Sequence, residues 1–310
     1  MERATESKIV LVTQRTRLED LVRRYNTVEQ AEFYVNHHGG DFTDYRREHD
    51  VYYESVKTLT SFLEHYARLQ RIDREFVPTY IFGANDLVIV LGRDGLVANT
   101  LKYLDSQHLI GVNPDPKRWD GILLPFSASD IQKIVPEYYK GLRKSKAVTL
   151  AEAVLNDGQK LYGVNDLFIG QKGHASARYE LSLDGRSEFQ SSSGIIVSTG
   201  LGSTGWFKSI LAGARGIDKF FGVSADSVEQ CFAWDANYLM FNVREPYPST
   251  STGADIVFGR IESNKSMTIT SLMPENGVIF SDGVEQDFLQ FNSGSIATVG
   301  IADKTGNLIV

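Results

Sequence analysis

Near residue 145 the hydrophobic pattern of this chain changes period, and one kind of layer cannot serve both halves. Before that point, Ile9-Val10-Leu11-Val12, Leu87-Val88-Ile89-Val90-Leu91 and Leu109-Ile110-Gly111-Val112 are short unbroken apolar runs, with Tyr80-Ile81-Phe82 as a weaker one. Unbroken runs suit strands buried on both faces. Val51, Tyr52, Val56, Leu59, Leu63, Tyr66 and Leu69 recur mostly every three or four residues, which predicts an amphipathic helix. Alternating strands and helices predict a parallel sheet covered on both sides. After residue 145 the period falls to two. Ala177, Tyr179, Leu181 and Leu183 alternate with Arg178, Glu180, Ser182 and Asp184, and Asp184-Gly185 then reads as a hairpin turn. Asn276-Gly277, Asp282-Gly283 and Ser293-Gly294 repeat the pattern, so this half reads as antiparallel β with one helix after Gly205. A length of 310 residues agrees with two domains, since single cores stop growing near ~250–300 residues. The expected boundary separates residues 1–145, an α/β domain, from residues 146–310, a β-rich domain. The basic run Lys140–Lys146 marks the junction and reads as a solvated hinge.

Composition removes several functions. Lys plus Arg is 32 against 39 Asp plus Glu, a net charge of −7, which argues against a dedicated nucleic-acid binder. No apolar run reaches the ~18–20 residues a membrane span needs. The single cysteine, Cys231, allows neither an intrachain disulfide nor a cysteine zinc cage, and reads as a small, at least partly buried side chain. The segment Met1–Lys8 carries acids and no apolar stretch, so it reads as neither a secretory signal nor a transit peptide. The cytoplasm is the expected compartment.

Three glycine-rich turns are candidates for chemistry. Gly92-Arg93-Asp94-Gly95 joins an apolar strand to a helix-like segment, a geometry that aims backbone N–H groups at an anion. An aspartate there repels phosphate unless it meets a metal or takes a proton; otherwise it is a turn or cap residue. Gly200, Gly202 and Gly205 formally match the dinucleotide fingerprint G-x-G-x-x-G, with Asp218 or Asp226 as the distal acid. The β-hairpins before it argue against a Rossmann unit, and with it against a dehydrogenase. His37-His38-Gly39-Gly40-Asp41 follows no apolar strand and reads as a surface loop; its paired histidines lack a sensibly spaced third metal ligand. Asn165-Asp166 entering an apolar strand is either a simple turn or a pair suited to ribose hydroxyls.

The order of these stretches resembles the ATP-NAD kinase family over roughly residues 80–300, most like its mitochondrial-type branch. The resemblance rests on Gly92–Gly95, Gly111-Val112-Asn113-Pro114-Asp115-Pro116, Asn165–Gly170, Ser192-Ser193-Gly194, Gly202–Trp206 and Arg244-Glu245-Pro246. It implies an N-terminal α/β nucleotide-binding domain and a C-terminal β-sandwich-like domain, with residues 295–310 returning to the first. It implies transfer of the γ-phosphate of ATP, with Mg²⁺, to the 2′-hydroxyl of NAD, giving NADP. Asp94 then matches the catalytic general base, in a phosphate loop of Gly92, Arg93 and Gly95. Asn165, Asp166, Thr204, Trp206, Ser209 and Asp282 match positions that hold NAD. Asn113, Gly202 and Ser203 are further nucleotide-site candidates, and no protein metal ligand is assigned. The expected partners are ATP and NAD, with subunits pairing as a homodimer or homotetramer.

The departures are specific. The family turn is Gly-Gly-Asp-Gly-Thr, whereas Arg93 and Leu96 stand here at its second and last positions, and Asp166 stands where Glu is common. Arg93 either pairs with a phosphate, blocks the loop, or pairs with Asp94 and lowers its basicity. Two alternatives follow: an NAD(P)-binding regulatory protein impaired in catalysis, or a related kinase acting on another hydroxylated acceptor.

Overall fold

The computed structural model describes residues 4–222 and 231–310. Residues 1–3 of the N-terminal segment, and Asp226, lie outside the described residues. The chain forms two compact units, Met1–Lys146 with Asn307–Val310, and Ala147–Gly306.

The first unit contains, in order, β1 (Lys8–Thr13), α1 (Arg17–Tyr25), α2 (Val28–His37), α3 (Phe42–Tyr66), β2 (Arg68–Asp73), β3 (Leu87–Leu91), α4 (Asp94–Leu101), β4 (His108–Asn113), β5 (Phe126–Ser127) and α5 (Ile131–Tyr139). Its strands lie in the order β2-β1-β3-β4, all parallel; β5 pairs with the end of β4, and Asn307 and Leu308 with its beginning. Ile9, Leu11, Leu87 and Ile89 point into one cluster with Leu59 and Leu63 of α3 and Ile134 and Val135 of α5. The alternate residues Val10, Val12, Val88 and Val90 are equally buried, as the unbroken runs require. Each such side chain contributes ~1.5–3 kcal/mol relative to exposure. A smaller cluster, built on Leu18, Ala31, Val35 and Phe42, joins α1 and α2 to the start of α3.

Two expectations are corrected here. The helix ends at Tyr66, because Ala67 is extended (φ −146°, ψ −178°) and starts the turn into β2. Leu69 continues the helical spacing by accident, packing on the same cluster from β2. Tyr80-Ile81-Phe82 forms no strand: it follows the 3-10 turn Arg74–Thr79, which contains Pro78, and Ile81 is 89% exposed. The His37–Asp41 turn links α2 to α3, with Gly39 at φ +76° and Asp41 accepting the Thr43 N–H at 2.9 Å. No cluster of three or more His, Cys, Asp or Glu side chains able to hold a metal ion occurs among the described residues.

The second unit contains β6 (Ser145–Leu155, from Ala147), β7 (Lys160–Gly163), β8 (Asp166–Gln171), β9 (Ala177–Leu183), β10 (Arg186–Ser192), β11 (Ile195–Ser198), α6 (Trp206–Phe220), β12 (Tyr238–Val243), β13 (Phe258–Glu262), β14 (Met267–Ser271), β15 (Gly277–Ser281), β16 (Val284–Gln290) and most of β17 (Ile296–Ile309). One layer runs β10-β9-β14-β17, with β6 pairing β17 and β7. The other is antiparallel throughout, β13-β12-β11-β8-β15-β16. Tyr179, Leu181 and Ile269 from the first layer meet Ile169, Val197 and Phe241 from the second in one core, which makes the unit a β-sandwich. The outer face of the second layer buries Phe168, Ile196 and Val278, with Trp206 and Ile210 of α6 packed against them. Asp184-Gly185 and Asp282-Gly283 have both central residues at positive φ, the hairpin geometry their sequences call for. At the other two turns only Asn276 and Gly294 do. Cys231 is exposed rather than buried, its Sγ 3.9 Å from the Ser203 carbonyl oxygen. The stretch Lys140–Lys146 is mostly exposed, Arg143 pairing with Glu137 at 2.7 Å.

Candidate functional site

In the first unit the strand order reverses direction between β1 and β3: β1 connects to its β2 side, β3 to its β4 side. Ligands of open parallel sheets bind outside the carboxyl ends of strands at such a switch point. Gly92–Gly95 leaves β3 there and starts α4, with Arg93 as its extended N-cap (φ −114°, ψ 166°) and Asp94 as its first residue. The Asp94 carboxylate accepts two backbone N–H groups, from Leu123 at 2.8 Å and Ile122 at 3.3 Å. These amides belong to the loop that follows β4. That loop is folded back by Asn113, 3% exposed, which donates to the Trp119 carbonyl at 2.8 Å and accepts the Asp115 N–H at 3.0 Å. It also lies so close to Gly111 that a Cβ there would come 2.0 Å from the Leu123 oxygen.

Arg93 does not turn toward Asp94. Its guanidinium donates to Glu48 of α3 at 3.2 Å and lies over the Trp119 ring, 4.0 Å from the centroid. Glu48 also takes Arg17 and lies 3.7 Å from Arg118, while Asp44 takes both arginines at 2.6–2.8 Å. The Arg118 guanidinium is the main cause holding the Asp44 carboxyl down at about 2. Leu96, 3% exposed, lies over Gly92. The crevice bounded by Gln14, Thr16, Gly92, Arg93, Pro114 and Trp119 retains a cavity of about 20 Å³, room for about one water.

In the second unit, the turn before β8 is bolted down from two sides. Asp282, at the β15–β16 hairpin, accepts N–H groups from Val164 (3.0 Å), Asn165 (2.6 Å) and Asp166 (3.4 Å) through Oδ1. Thr199 donates through Oγ1 to the Val164 carbonyl at 2.5 Å, and its N–H reaches the Asn165 carbonyl at 3.0 Å. Gly202 sits directly above that carbonyl: a Cβ would come 1.9 Å from the oxygen. Asp282 and Gly202 therefore shape the Asn165-Asp166 turn. The Asp166 carboxyl is 6% exposed, and burial first, then the Asp282 charge, pushes it up to about 7.

The remaining candidates are spread over the start of α6. Ser203 is fully buried, donating to the Gly200 carbonyl at 2.7 Å and accepting the Phe232 N–H at 3.3 Å. Thr204 and Ser209 are exposed and donate to carbonyls of their own turns, Leu201 at 3.1 Å and Gly205 at 3.4 Å. Trp206 stacks on Phe168 at 6.0 Å with Arg244 5.5 Å from its centroid. β11, which leads into this turn, has antiparallel neighbours on both sides, so the Gly200–Gly205 fingerprint is not part of a βαβ unit. The first unit thus brings Asp94, Gly92, Arg93 and Asn113 together, and the second brings Asn165, Asp166, Asp282 and Gly202 together.

No protein-family model and no curated protein sequence matches the chain. Among solved structures it is similar to a yeast NADH kinase complexed with NADH, with a TM-score of 0.58 and 13% identity over 99% of this chain and 84% of that one. It is also similar to an NAD kinase from Archaeoglobus fulgidus in complex with ATP, with a TM-score of 0.54 and 14% identity over 97% and 92%. The chain has the fold of these kinases. Within that fold, Glu48 and Trp119 went unnoticed in the sequence, and Thr199, which leads into the Gly200–Gly205 turn, was given no role of its own. Glu48 lies in an ordinary polar stretch of a helix, and Thr199 forms its bonds with a turn 34 and 35 residues away.

Proposed function

We propose that the protein is an NAD(H) kinase that transfers the γ-phosphate of ATP to the 2′-hydroxyl of the adenosine ribose, giving NADP(H). One observation carries this reading: a carboxylate, Asp94, held by two backbone N–H groups at the switch point of a parallel sheet. The fold shared with two nucleotide kinases along nearly the whole chain supports it. In the proposed reaction the hydroxyl oxygen forms the new bond to phosphorus, the bond to the bridging oxygen of ADP breaks, and the hydroxyl proton passes to Asp94. A carboxylate is a weak base for an alcohol, so proton transfer is late and most of the acceleration comes from positioning and charge stabilisation. Among the described residues no cluster of three or more His, Cys, Asp or Glu side chains able to hold a metal ion occurs. Mg²⁺ is proposed to arrive as MgATP, held largely by the phosphates. Asn165, Asp166, Thr204, Trp206, Ser209 and Asp282 are assigned to the dinucleotide, with Gly202 and Ser203 shaping their turn. A mitochondrial-type kinase working as a cytoplasmic homodimer or homotetramer is the finer form of this proposal.

The test is an incubation with ATP, Mg²⁺ and either NAD or NADH, with NADP(H) detected by a dehydrogenase specific for it. Product must depend on ATP, and Asp94→Asn should cut turnover by ~10²–10⁴-fold while nucleotide binding persists. Near-normal turnover in that variant rejects Asp94 as the base. NAD binding without any product would instead identify a binding protein that has lost phosphoryl transfer.

A further inference from the structure

Arg93 is the residue the proposed reaction leaves unused, and its surroundings are unusual for a phosphate loop. It stands at the N-cap of α4, one residue from Asp94, yet its guanidinium is drawn away to Glu48 and stacked on Trp119. Together they leave about 20 Å³ in the crevice, too little for a phosphate group. The closure is weakly held. The Arg93 side chain is 42% exposed, and a partly exposed ion pair of this kind contributes little. Glu48 does not depend on it, because Arg17 and Arg118 also approach that carboxylate. Counting Asp44 and Glu48 against Arg17, Arg93 and Arg118, the cluster holds one more cation than anion. A phosphate group, with two oxygens to accept from the guanidinium fork, offers Arg93 a doubly hydrogen-bonded partner that a carboxylate shared with other arginines does not.

We propose that Arg93 is a positioning residue for the phosphoryl donor, held closed by Glu48 and Trp119, and that the donor's phosphates open the crevice by taking the guanidinium from Glu48. This rests on the kinase reading above and adds to it the residue that replaces the missing main-chain approach at position 93. Glu48 is then the competitor that sets donor affinity.

Binding of inorganic tripolyphosphate, followed by calorimetry, tests this without requiring turnover. Glu48→Gln should tighten binding about two- to five-fold by removing the competing charge. Arg93→Ala should weaken it about ten-fold or more, with Arg93→Lys between the two. Glu48→Gln should bring no gain in an Arg93→Ala background, since its effect runs through that arginine. Tripolyphosphate should also change the fluorescence of Trp119 as Arg93 leaves its ring, a signal lost in Trp119→Phe. In assays of NADP formation, Arg93→Ala should raise KM for ATP more than it lowers kcat. Tighter binding in Arg93→Ala would make the arginine a plug and overturn the proposal, as would equal affinities in all variants. The expected order of tripolyphosphate affinities without NADP formation would reject the kinase reading while leaving Arg93 a phosphate ligand.

Discussion

Asp166 allows the electrostatics of the second unit to be tested apart from catalysis. An aspartyl carboxyl titrates near 3.8 in an unfolded chain, while burial and the neighbouring Asp282 hold this one at about 7 in the folded protein. That difference corresponds to ~4 kcal/mol. Below pH ~4 both states carry the proton and the residue adds no penalty. Between pH ~4 and ~7 the unfolded chain has released the proton and the folded one has kept it, so stability falls as pH rises. Above ~7 the folded protein carries a buried anion and the full penalty applies. Asp166→Asn keeps the side-chain shape and cannot titrate. The difference in stability between this variant and the natural protein should therefore grow in the variant's favour from pH 4.5 to pH 8, by a large part of ~4 kcal/mol. Urea midpoints in the absence of nucleotide, read across that range for both proteins, measure it, because titrations elsewhere cancel in the difference. A difference independent of pH would refute the argument. Asp282→Asn separates the two causes: since burial is the larger, most of the pH slope should survive it.

Two structural variants probe the frames that hold the candidate residues. Gly202→Ala places a methyl 1.9 Å from the Asn165 carbonyl, a backbone atom that cannot step aside alone; it should destabilise the second unit by ~1–3 kcal/mol and weaken NAD binding, and an unchanged melting temperature would refute the close approach. Tyr52→Phe removes a buried hydroxyl that accepts the Gln14 N–H at 2.8 Å and donates to the Leu91 carbonyl at 3.2 Å. It should cost ~1–3 kcal/mol in denaturant unfolding, and no loss would mean that water replaces the hydroxyl.

The strands were legible where side-chain period alone decides the outcome. Leu87–Leu91 is apolar throughout because both faces of the strand are buried, and Ala177–Leu183 alternates because a sandwich strand such as this buries mainly one face. The failures have equally local causes. β2 is Arg68–Asp73, an edge strand with three charged residues, whose membership is set by pairing with β1 rather than by its own hydrophobicity. Tyr80–Phe82 is apolar and aromatic but has no strand beside it, and a run without a ladder partner remains a loop. Cys231 has the composition of a core residue and lies at the surface, because nothing in its own chemistry obliges it to be buried.

The candidate site divides along the same line. Positions that act through the backbone, such as Gly202 and the Asp282-Gly283 turn, leave a trace in the sequence, since only certain residues tolerate those contacts and angles. Arg93 also stood out, but its meaning did not, because an arginine is defined by the partner it finds. Asp94 lies next to it in sequence, yet the carboxylate that claims it is Glu48, 45 residues earlier on another helix. That choice takes the Arg93 guanidinium away from Asp94. Its carboxylate is held instead by two amides of the loop after β4, and that loop also carries Trp119, on which Arg93 stacks. In the proposed reaction, displacing Arg93 therefore uncovers the ring of a residue in the segment that anchors Asp94, which would couple donor binding to the setting of the proposed base. The consequence is directional: substitutions that loosen Arg93 from Trp119 should alter how firmly Asp94 is held, whereas substitutions at Glu48 that leave the stack intact should not.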